Sequence, residues 1–198
     1  MKRVAALISG RGSNLQALLE AEQDAYEIAL VVSNVPGAAG LERAREARVE
    51  AIALDHKPYG KNREAFERDL DALLIARNIE LVALAGFMRV LTPFFVNAWK
   101  NRLLNIHPSL LPSFPGPSAY RQAYEHGVKI VGVTAHFVSM HLDEGPIISQ
   151  DSFPLRAGMS LKEIIATGQQ LEAKTLVKAI KLYLTKRLDV YWGTVREV

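Results

Sequence analysis

Asn105 and His107 stand two residues apart near the start of the run LNIHPSLLPSFPG, which follows a short apolar stretch. Because alternate residues of a strand point to the same face, the amide and the imidazole can address one reacting centre. Three prolines follow within the run; they fix φ and remove backbone N–H donors, so a stiff loop is expected. We predict a catalytic loop, with a turn that carries a surface histidine as the alternative.

An acidic residue follows a second apolar segment. Asp143 lies in HFVSMHLDEGPII, just before a Glu-Gly-Pro turn, which puts its carboxylate on a loop. Acyl transfer to an amine needs an amide and an imidazolium to stabilise an oxyanion, and a carboxylate to tune the imidazole and help move a proton. The chain has no cysteine and no serine in a Gly-x-Ser-x-Gly turn, so we expect direct transfer without an acyl-enzyme.

A glycine-rich loop follows the first predicted strand. Residues 10–14 are similar to the dinucleotide fingerprint G-x-G-x-x-G, but Leu15 occupies the third glycine position, so no nicotinamide cofactor is expected. The free N–H groups of the following helix, with the Ser13 hydroxyl and the Asn14 amide, suit one phosphate. The alternative is that Ser13 or Asn14 only caps the helix; two flexible glycines favour the phosphate.

The heptapeptide AGFMRVL ends another predicted strand with one charged residue among apolar ones. We expect most of Phe87, Met88, Val90 and Leu91 to be core residues. Arg89 differs from them, because a flat guanidinium beside apolar side chains suits a planar heterocycle that is rich in acceptors.

Short β-branched runs alternate with helical patterns. The predicted strands are residues 4–8, 28–33, 49–54, 81–85, 103–106, 130–137 and 146–152. Apolar helical stripes are formed by Leu15, Leu18 and Leu19, and by Phe66, Leu70, Leu73 and Leu74. Ser160 and Glu163 predict a capping box on a long final helix, and Thr92 before Pro93 predicts the start of a shorter one. The alternation predicts an α/β fold: a doubly wound, mostly parallel sheet with helices on both faces and a mixed C-terminal half.

Length and composition indicate an ordinary globular protein of 198 residues, 49% hydrophobic and 23% charged. We expect a single domain over residues 1–198, with a phosphate-binding half of about residues 1–100 and a catalytic half of about residues 101–198. The basic start is followed by only five apolar residues, Val4 to Ile8, too few for a signal peptide or a membrane span. The absence of cysteine fits a cytoplasmic location.

The formal charge is only +3, and the basic residues are scattered among acidic ones. We therefore expect no nucleic-acid partner, whereas a mildly positive surface suits small anionic substrates. His136 and His141 are five residues apart, which is not the i, i+4 spacing of a helical zinc pair, so no metal is expected.

In combination, these motifs make the chain resemble the phosphoribosylglycinamide formyltransferase family, the folate-dependent enzymes of purine synthesis, from Val4 to about Glu172. NIHPSLLP indicates the wider superfamily that uses formyltetrahydrofolate, and the Gly-Ser-Asn loop with AGFMRVL narrows the resemblance. It implies a Rossmann-like formyltransferase fold. It also implies transfer of the formyl group of 10-formyltetrahydrofolate to the amine of 5-phosphoribosylglycinamide in de novo purine biosynthesis, with small-molecule partners only; a homodimer is left open.

The resemblance also implies which residues act. Glu172 matches a position that meets the amine-bearing substrate, and Arg63 one near the folate glutamate tail; a solvated helix residue explains Arg63 equally well. The implied residues are Asn105, His107 and Asp143 for catalysis; Gly12, Ser13, Asn14 and Glu172 for the ribonucleotide; and Arg63, Met88, Arg89, Val90, Leu91, Asn105, Met140, His141 and Asp143 for the folate.

The chain departs from the family pattern at several positions. Pro117 and Ser118 stand where a bulky residue and a histidine are usual, and Tyr120 stands in place of a second histidine. Ala173 replaces the histidine of a Glu-His pair, and His141 stands where an acidic residue is common. These departures put the local loop shape and secondary substrate contacts in question.

Two alternatives remain open. A formyltetrahydrofolate hydrolase shares the Asn, His and Asp, but it normally carries an additional N-terminal regulatory domain, which we do not expect in this chain. It also tends to have a second histidine where Pro108 follows His107 here. The other alternative is a nucleotide- or folate-binding module without turnover, which the altered residues Pro117, Ser118 and Ala173 would fit.

Overall fold

The computed structural model describes residues 1–21, 26–186 and 188–197. Seven strands form its main sheet: β1 (Lys2–Ile8), β2 (Tyr26–Ser33), β3 (Ala51–Ala53), β4 (Leu81–Leu84), β5 (Leu103–His107), β6 (Ile130–Phe137) and β7 (Ile147–Pro154). They hydrogen-bond in the order β3-β2-β1-β4-β5-β6-β7. The chain divides into two compact units, Met1–Leu104 and Asn105–Val198, and the boundary falls inside β5.

The first unit is built on parallel strands. β1 pairs in parallel with both β2 and β4, and β2 pairs in parallel with β3. Residues 4–8 of β1 are all fully buried, which explains the continuous apolar run, because a parallel strand covered on both faces has no polar side. Its helices are α1 (Ser13–Glu20), α2 (Ala39–Glu46), α3 (Arg63–Ala76) and α4 (Pro93–Ala98), with a short 3-10 helix at Lys57–Tyr59.

The first residues of α3 and α4 show why each helix begins where it does. The Asn62 side chain accepts a hydrogen bond from the Ala65 N–H and so caps α3, whose buried residues include Phe66, Leu70 and Leu74. Burying each of these large side chains contributes about 1.5–3 kcal/mol. Thr92 is the N-cap of α4 and Pro93 its first residue, as the sequence predicts.

The second unit holds an antiparallel pair, β6 with β7, and two helices, α5 (Ala119–Glu125) and α6 (Leu161–Thr185). The capping box of α6 is confirmed: Ser160 accepts from the Glu163 N–H, and the Glu163 carboxylate accepts from the Ser160 N–H. A hairpin that the sequence reading did not anticipate, β8 (Leu188–Tyr191) and β9 (Thr194–Glu197), follows. Its two-residue turn, Trp192 and Gly193, has positive φ at both positions, as tight hairpins need.

The predicted α/β fold with a mostly parallel, doubly wound sheet is confirmed, and the corrections concern element lengths. The strand expected over residues 49–54 spans only Ala51–Ala53, since it lies at the sheet edge and has β2 as its neighbour. The strand expected over residues 146–152 runs instead from Ile147 to Pro154 along β6. Within the described residues, no helix is both long enough and apolar enough to cross a membrane.

Candidate active site

The proline-rich loop after β5 is held by polar side chains as well as by its prolines. The buried Thr134 hydroxyl donates to the Ser109 carbonyl (2.7 Å) and accepts from the Leu111 N–H (3.1 Å). Gln150 lies opposite Thr134 on β7 and donates to the Leu111 carbonyl at 3.0 Å. Ser109 closes the turn by donating to the Ser113 carbonyl at 2.5 Å. The loop is therefore fixed to β6 and β7 of the same unit.

This arrangement brings the three predicted catalytic residues together. His107 Nδ1 lies 3.3 Å from Asp143 Oδ2, and their side chains are only 6% and 5% exposed. The same carboxylate oxygen accepts the Gly116 N–H at 2.8 Å, which ties the end of the proline-rich loop to Asp143. Asn105 lies on the same strand as His107, two residues earlier. The spatial grouping expected from the sequence is thus present within one unit.

His107 faces an acceptor on each side. Its Nδ1 faces the Asp143 carboxylate at 3.3 Å, and its Nε2 lies 2.9 Å from the carbonyl oxygen of Phe114. A carbonyl and a carboxylate can only accept, so an imidazolium with two N–H groups satisfies both contacts. The site therefore suits a positively charged His107, the form that stabilises a developing oxyanion.

A second histidine, His136, orients the Asn105 amide. Its Nδ1 lies 2.9 Å from the Phe137 carbonyl and so carries a proton, which leaves Nε2 as an acceptor. The Asn105 amide nitrogen lies 3.4 Å from this Nε2. Burial lowers the pKa of His136, with the Phe137 hydrogen bond and the Asp143 charge opposing the shift. His136 is therefore neutral at pH 7, and it holds the amide with its N–H groups on a defined side.

The loop that presents Asp143 depends on two unusual backbone positions. Asp143 has φ of 57°, a left-handed conformation that Asp and Asn tolerate better than most residues. At Gly145, an added Cβ would come within 1.7 Å of the Phe137 carbonyl oxygen, so only glycine lets the loop pass this close to β6. The turn after Asp143 is thus fixed by steric fit against the strand that carries His136.

The glycine-rich loop lies in the first unit, at the start of α1. Gly12 is the N-cap in a left-handed conformation, with φ of 74° and no side-chain cap. The alternative that Ser13 or Asn14 caps this helix is therefore wrong. Besides its positive φ, Gly12 has a second reason to be glycine: an added Cβ would lie only 3.0 Å from the Gly40 backbone. Ser13 is exposed and Asn14 is buried.

The segment from Met88 to Leu91, also in the first unit, corrects the expectation that most of its apolar residues are core. Met88 is 80% exposed and Val90 61% exposed, and only Phe87 before them is buried. Apolar side chains at such exposure form a surface that an apolar ligand can cover. The Arg89 guanidinium lies over the Phe66 ring of α3, 4.9 Å from its centroid, at a distance typical of a cation–π contact.

Helix α3 holds the C-terminal end of this segment. Arg63 is exposed at the first position of the helix and donates to the Val90 carbonyl at 3.3 Å, so the structure ties it to the predicted folate segment. Glu67, only 2% exposed, accepts from the Thr92 N–H at 2.9 Å and also from the Thr92 hydroxyl. The segment therefore has a defined shape although its side chains are exposed.

The remaining predicted site residues lie in the second unit. Met140 is 52% exposed and His141 is exposed, on the loop that leads to Asp143. Glu172 lies on α6, where its carboxylate accepts from the Tyr120 hydroxyl at 2.8 Å. Tyr120 thus contacts a predicted substrate-binding residue.

Sequence reasoning missed His136, Thr134 and Gln150. A signal was present: Thr134 and His136 are polar residues two apart in the otherwise apolar β6, so both point to one face. His136 was considered only for a metal, and its spacing argued against one. Among the described residues no group of three or more His, Cys, Asp or Glu could hold a metal ion.

The fold and this cluster define a class: a Rossmann-like α/β protein in which a half-buried amide lies near a buried imidazole and carboxylate, an arrangement suited to group transfer. The formyl transferase family model matches residues 2–180, and the chain belongs to this family. It is 41% identical over 191 residues to the phosphoribosylglycinamide formyltransferase of Escherichia coli, covering 95% of this chain and 90% of that protein.

Solved structures extend the comparison. Glycinamide ribonucleotide transformylase 1 from Symbiobacterium toebii superimposes with a TM-score of 0.95 at 43% identity, covering 100% of this chain and 94% of the other. A formyltetrahydrofolate deformylase from Pseudomonas syringae pv. tomato gives 0.91 at 29% identity, covering 99% of this chain and 65% of the other.

The chain also matches a part of much longer proteins. It is 43% identical over 183 residues to the human trifunctional purine biosynthetic protein adenosine-3; the match covers 91% of this chain but only 18% of that protein. The chain therefore spans between about an eighth and a fifth of the length of the first curated relatives.

Proposed function

We propose that this chain transfers the formyl group of 10-formyltetrahydrofolate to the amine of 5-phosphoribosylglycinamide, a step of purine biosynthesis. The observation that carries the proposal is the buried cluster in which His107 meets Asp143 at 3.3 Å while His136 orients Asn105. The relatives named for this reaction, one of them 41% identical over most of both chains, support the same substrates.

Asn105 and His107 act on the formyl oxygen. Attack by the amine nitrogen forms the new C–N bond and moves the carbonyl π electrons onto oxygen. An N–H of Asn105 donates to the resulting oxyanion, and the His107 cation, whose N–H groups face Asp143 and Phe114, stabilises it by its charge. His136 accepts from the Asn105 amide, so this amide needs little reorganisation during the reaction.

Asp143 stabilises the His107 cation and assists the proton transfer. The amine must lose a proton as it attacks, and the folate nitrogen must gain one as its bond to the formyl carbon breaks, so one proton is moved overall. The carboxylate carries it by way of a bridging water, and it lies 3.3 Å from the His107 imidazole.

Two segments of the first unit bind the non-reacting parts of the substrates. The uncapped start of α1, with Gly12, Ser13 and Asn14, binds the ribonucleotide phosphate through backbone N–H groups. The exposed Met88 and Val90 give the folate ring an apolar surface, and the segment's backbone gives it hydrogen bonds. These exposed apolar side chains are the observation that fits a folate.

Contacts in the second unit complete the proposal. Met140 and His141 line the folate side of the Asp143 loop, and Glu172 meets the amine end of the ribonucleotide. Arg63 meets the folate glutamate tail. The proposal further includes a cytoplasmic location and catalysis without a metal, which activity in the presence of a chelator tests. A homodimer is tested by light scattering of the purified protein.

The experiment that tests the function measures loss of the folate formyl group with and without 5-phosphoribosylglycinamide. We expect the donor to be nearly inert alone and to react rapidly once the acceptor is added, because an anchored amine is held for attack and water is not. Rapid deformylation that the acceptor does not change would identify a hydrolase. Binding of both ligands without turnover would identify a binding module.

A further inference from the structure

Tyr120, Gly168 and Glu172 form a built contact between α5 and α6. The Tyr120 hydroxyl donates to Glu172 Oε1 at 2.8 Å, and the tyrosine is only 7% exposed. Gly168 lies one turn before Glu172, and an added Cβ there would come within 2.2 Å of the Tyr120 hydroxyl oxygen. The absence of a side chain at Gly168 therefore lets the phenol ring lie against α6 and reach the carboxylate.

In the hydrogen bond between Tyr120 and Glu172, the phenol is always the donor and the carboxylate always the acceptor. Burial, and then the negative charge of Glu172, raise the pKa of Tyr120, so the phenol remains protonated and always donates. Its planar ring has only two side-chain torsions, and both are restricted by the packing on Gly168. The hydroxyl is therefore a fixed point that restricts the torsions of the longer and more flexible glutamate side chain.

We propose that Tyr120 is a positioning residue for the ribonucleotide: it orients the Glu172 carboxylate so that this group accepts hydrogen bonds from N–H or O–H groups of the substrate. The inference rests on the proposed function. A carboxylate has about four acceptor sites, so the phenol takes one without ending the capacity of Glu172 to bind other donors. Tyr120 stands at a position where a histidine is usual in the family, and its phenol provides a neutral hydrogen-bond donor there.

The test compares Tyr120→Phe with the wild-type enzyme. This change keeps the ring on Gly168 and removes only the hydroxyl, so we expect the KM for 5-phosphoribosylglycinamide to rise about 3- to 30-fold. The kcat and the KM for 10-formyltetrahydrofolate should stay within twofold. Tyr124→Phe is the matched control, since Tyr124 lies on the same helix and is 45% exposed. It should change none of these constants.

A double-mutant cycle with Glu172→Gln shows whether the tyrosine acts through the carboxylate. If it does, the double variant should have the same KM as Glu172→Gln alone. Fully additive effects, or an unchanged KM in Tyr120→Phe, would overturn the inference.

A binding measurement separates this inference from the proposed function. If the wild-type enzyme shows no formyl transfer, the proposed function fails, and calorimetric titration with 5-phosphoribosylglycinamide decides the inference instead. Weaker binding by Tyr120→Phe supports it, and equal dissociation constants, or no binding to either protein, overturn it.

Discussion

Replacing Asp143 by Asn isolates the electrostatic role of the carboxylate, because the structure accommodates asparagine at this position. Asparagine tolerates the φ of 57° found there. The amide oxygen can accept the Gly116 N–H in place of the carboxylate oxygen at 2.8 Å. The amide nitrogen then takes the place of Oδ1, which lies 4.0 Å from Nε2 of the neutral His136. The change therefore removes charge with little change in shape.

The size of the effect follows from the distance between Asp143 and His107. Two unit charges 3.3 Å apart interact by about 5 kcal/mol at an effective dielectric constant of about 20, and neither side chain is exposed enough for water to screen them. Each 1.4 kcal/mol corresponds to about a factor of ten in rate. If the His107 cation stabilises the transition state, kcat should fall by about three and a half decades, with smaller changes in both KM values.

The assay is steady-state formyl transfer to 5-phosphoribosylglycinamide, with thermal unfolding measured in parallel. We expect the melting temperature to shift by less than about 4 °C, because the amide keeps the size of the carboxylate and can keep the hydrogen bond from the Gly116 N–H. Glu144→Gln is the matched control, since it also replaces a carboxylate by an amide, at the adjacent exposed acid. The reasoning is refuted by a fall in kcat of less than tenfold with an intact fold, or by an equal loss in the control.

Three further predictions concern the phosphate loop, His136 and α3. Ser13→Ala should raise the KM for the ribonucleotide several-fold and leave the KM for the folate unchanged; equal changes in both constants would indicate a structural role. Burial lowers the pKa of His136, so the folded state binds fewer protons than the unfolded one. The free energy of unfolding should therefore decrease as the pH falls below about 6.5, by at most about 1.4 kcal/mol per pH unit from this group. Denaturation at several pH values should show a weaker dependence in His136→Gln, and an unchanged dependence would contradict the argument. Glu67→Ala leaves the Thr92 N–H and hydroxyl without their acceptor and should lower the free energy of unfolding by about 2–4 kcal/mol and raise the folate KM. The same change at the exposed Glu64 should have little effect on either quantity.

Local patterns were sufficient for much of the fold. The apolar run of β1 and the capping box of α6 each depend on neighbouring residues alone, and both are confirmed. The predictions that failed concern segments whose length or pairing depends on a second element. The edge strand β3 is shorter than its apolar pattern indicates, and the β8–β9 hairpin that follows α6 was not predicted. Strand ends depend on the neighbouring strand, which a single segment does not contain.

The candidate site divides in the same way. The shared face of Asn105 and His107 follows from their two-residue spacing on a strand, and Leu15 in place of a third glycine argues against a dinucleotide from the sequence alone. The exposure of Met88 and Val90 did not follow, because an apolar side chain is buried only if another element packs over it.

Tertiary structure alone decided the partners of each catalytic group. His136 meets Asn105 only because β6 lies beside β5 in the sheet, and Asp143 reaches His107 only because Gly145 lets its loop pass close to Phe137. The sequence determined which chemical groups are present and the local geometry of each. Distances of 3–4 Å between residues some thirty positions apart depend on how strands pair and loops pack, and these long-range contacts are set only when the whole unit folds.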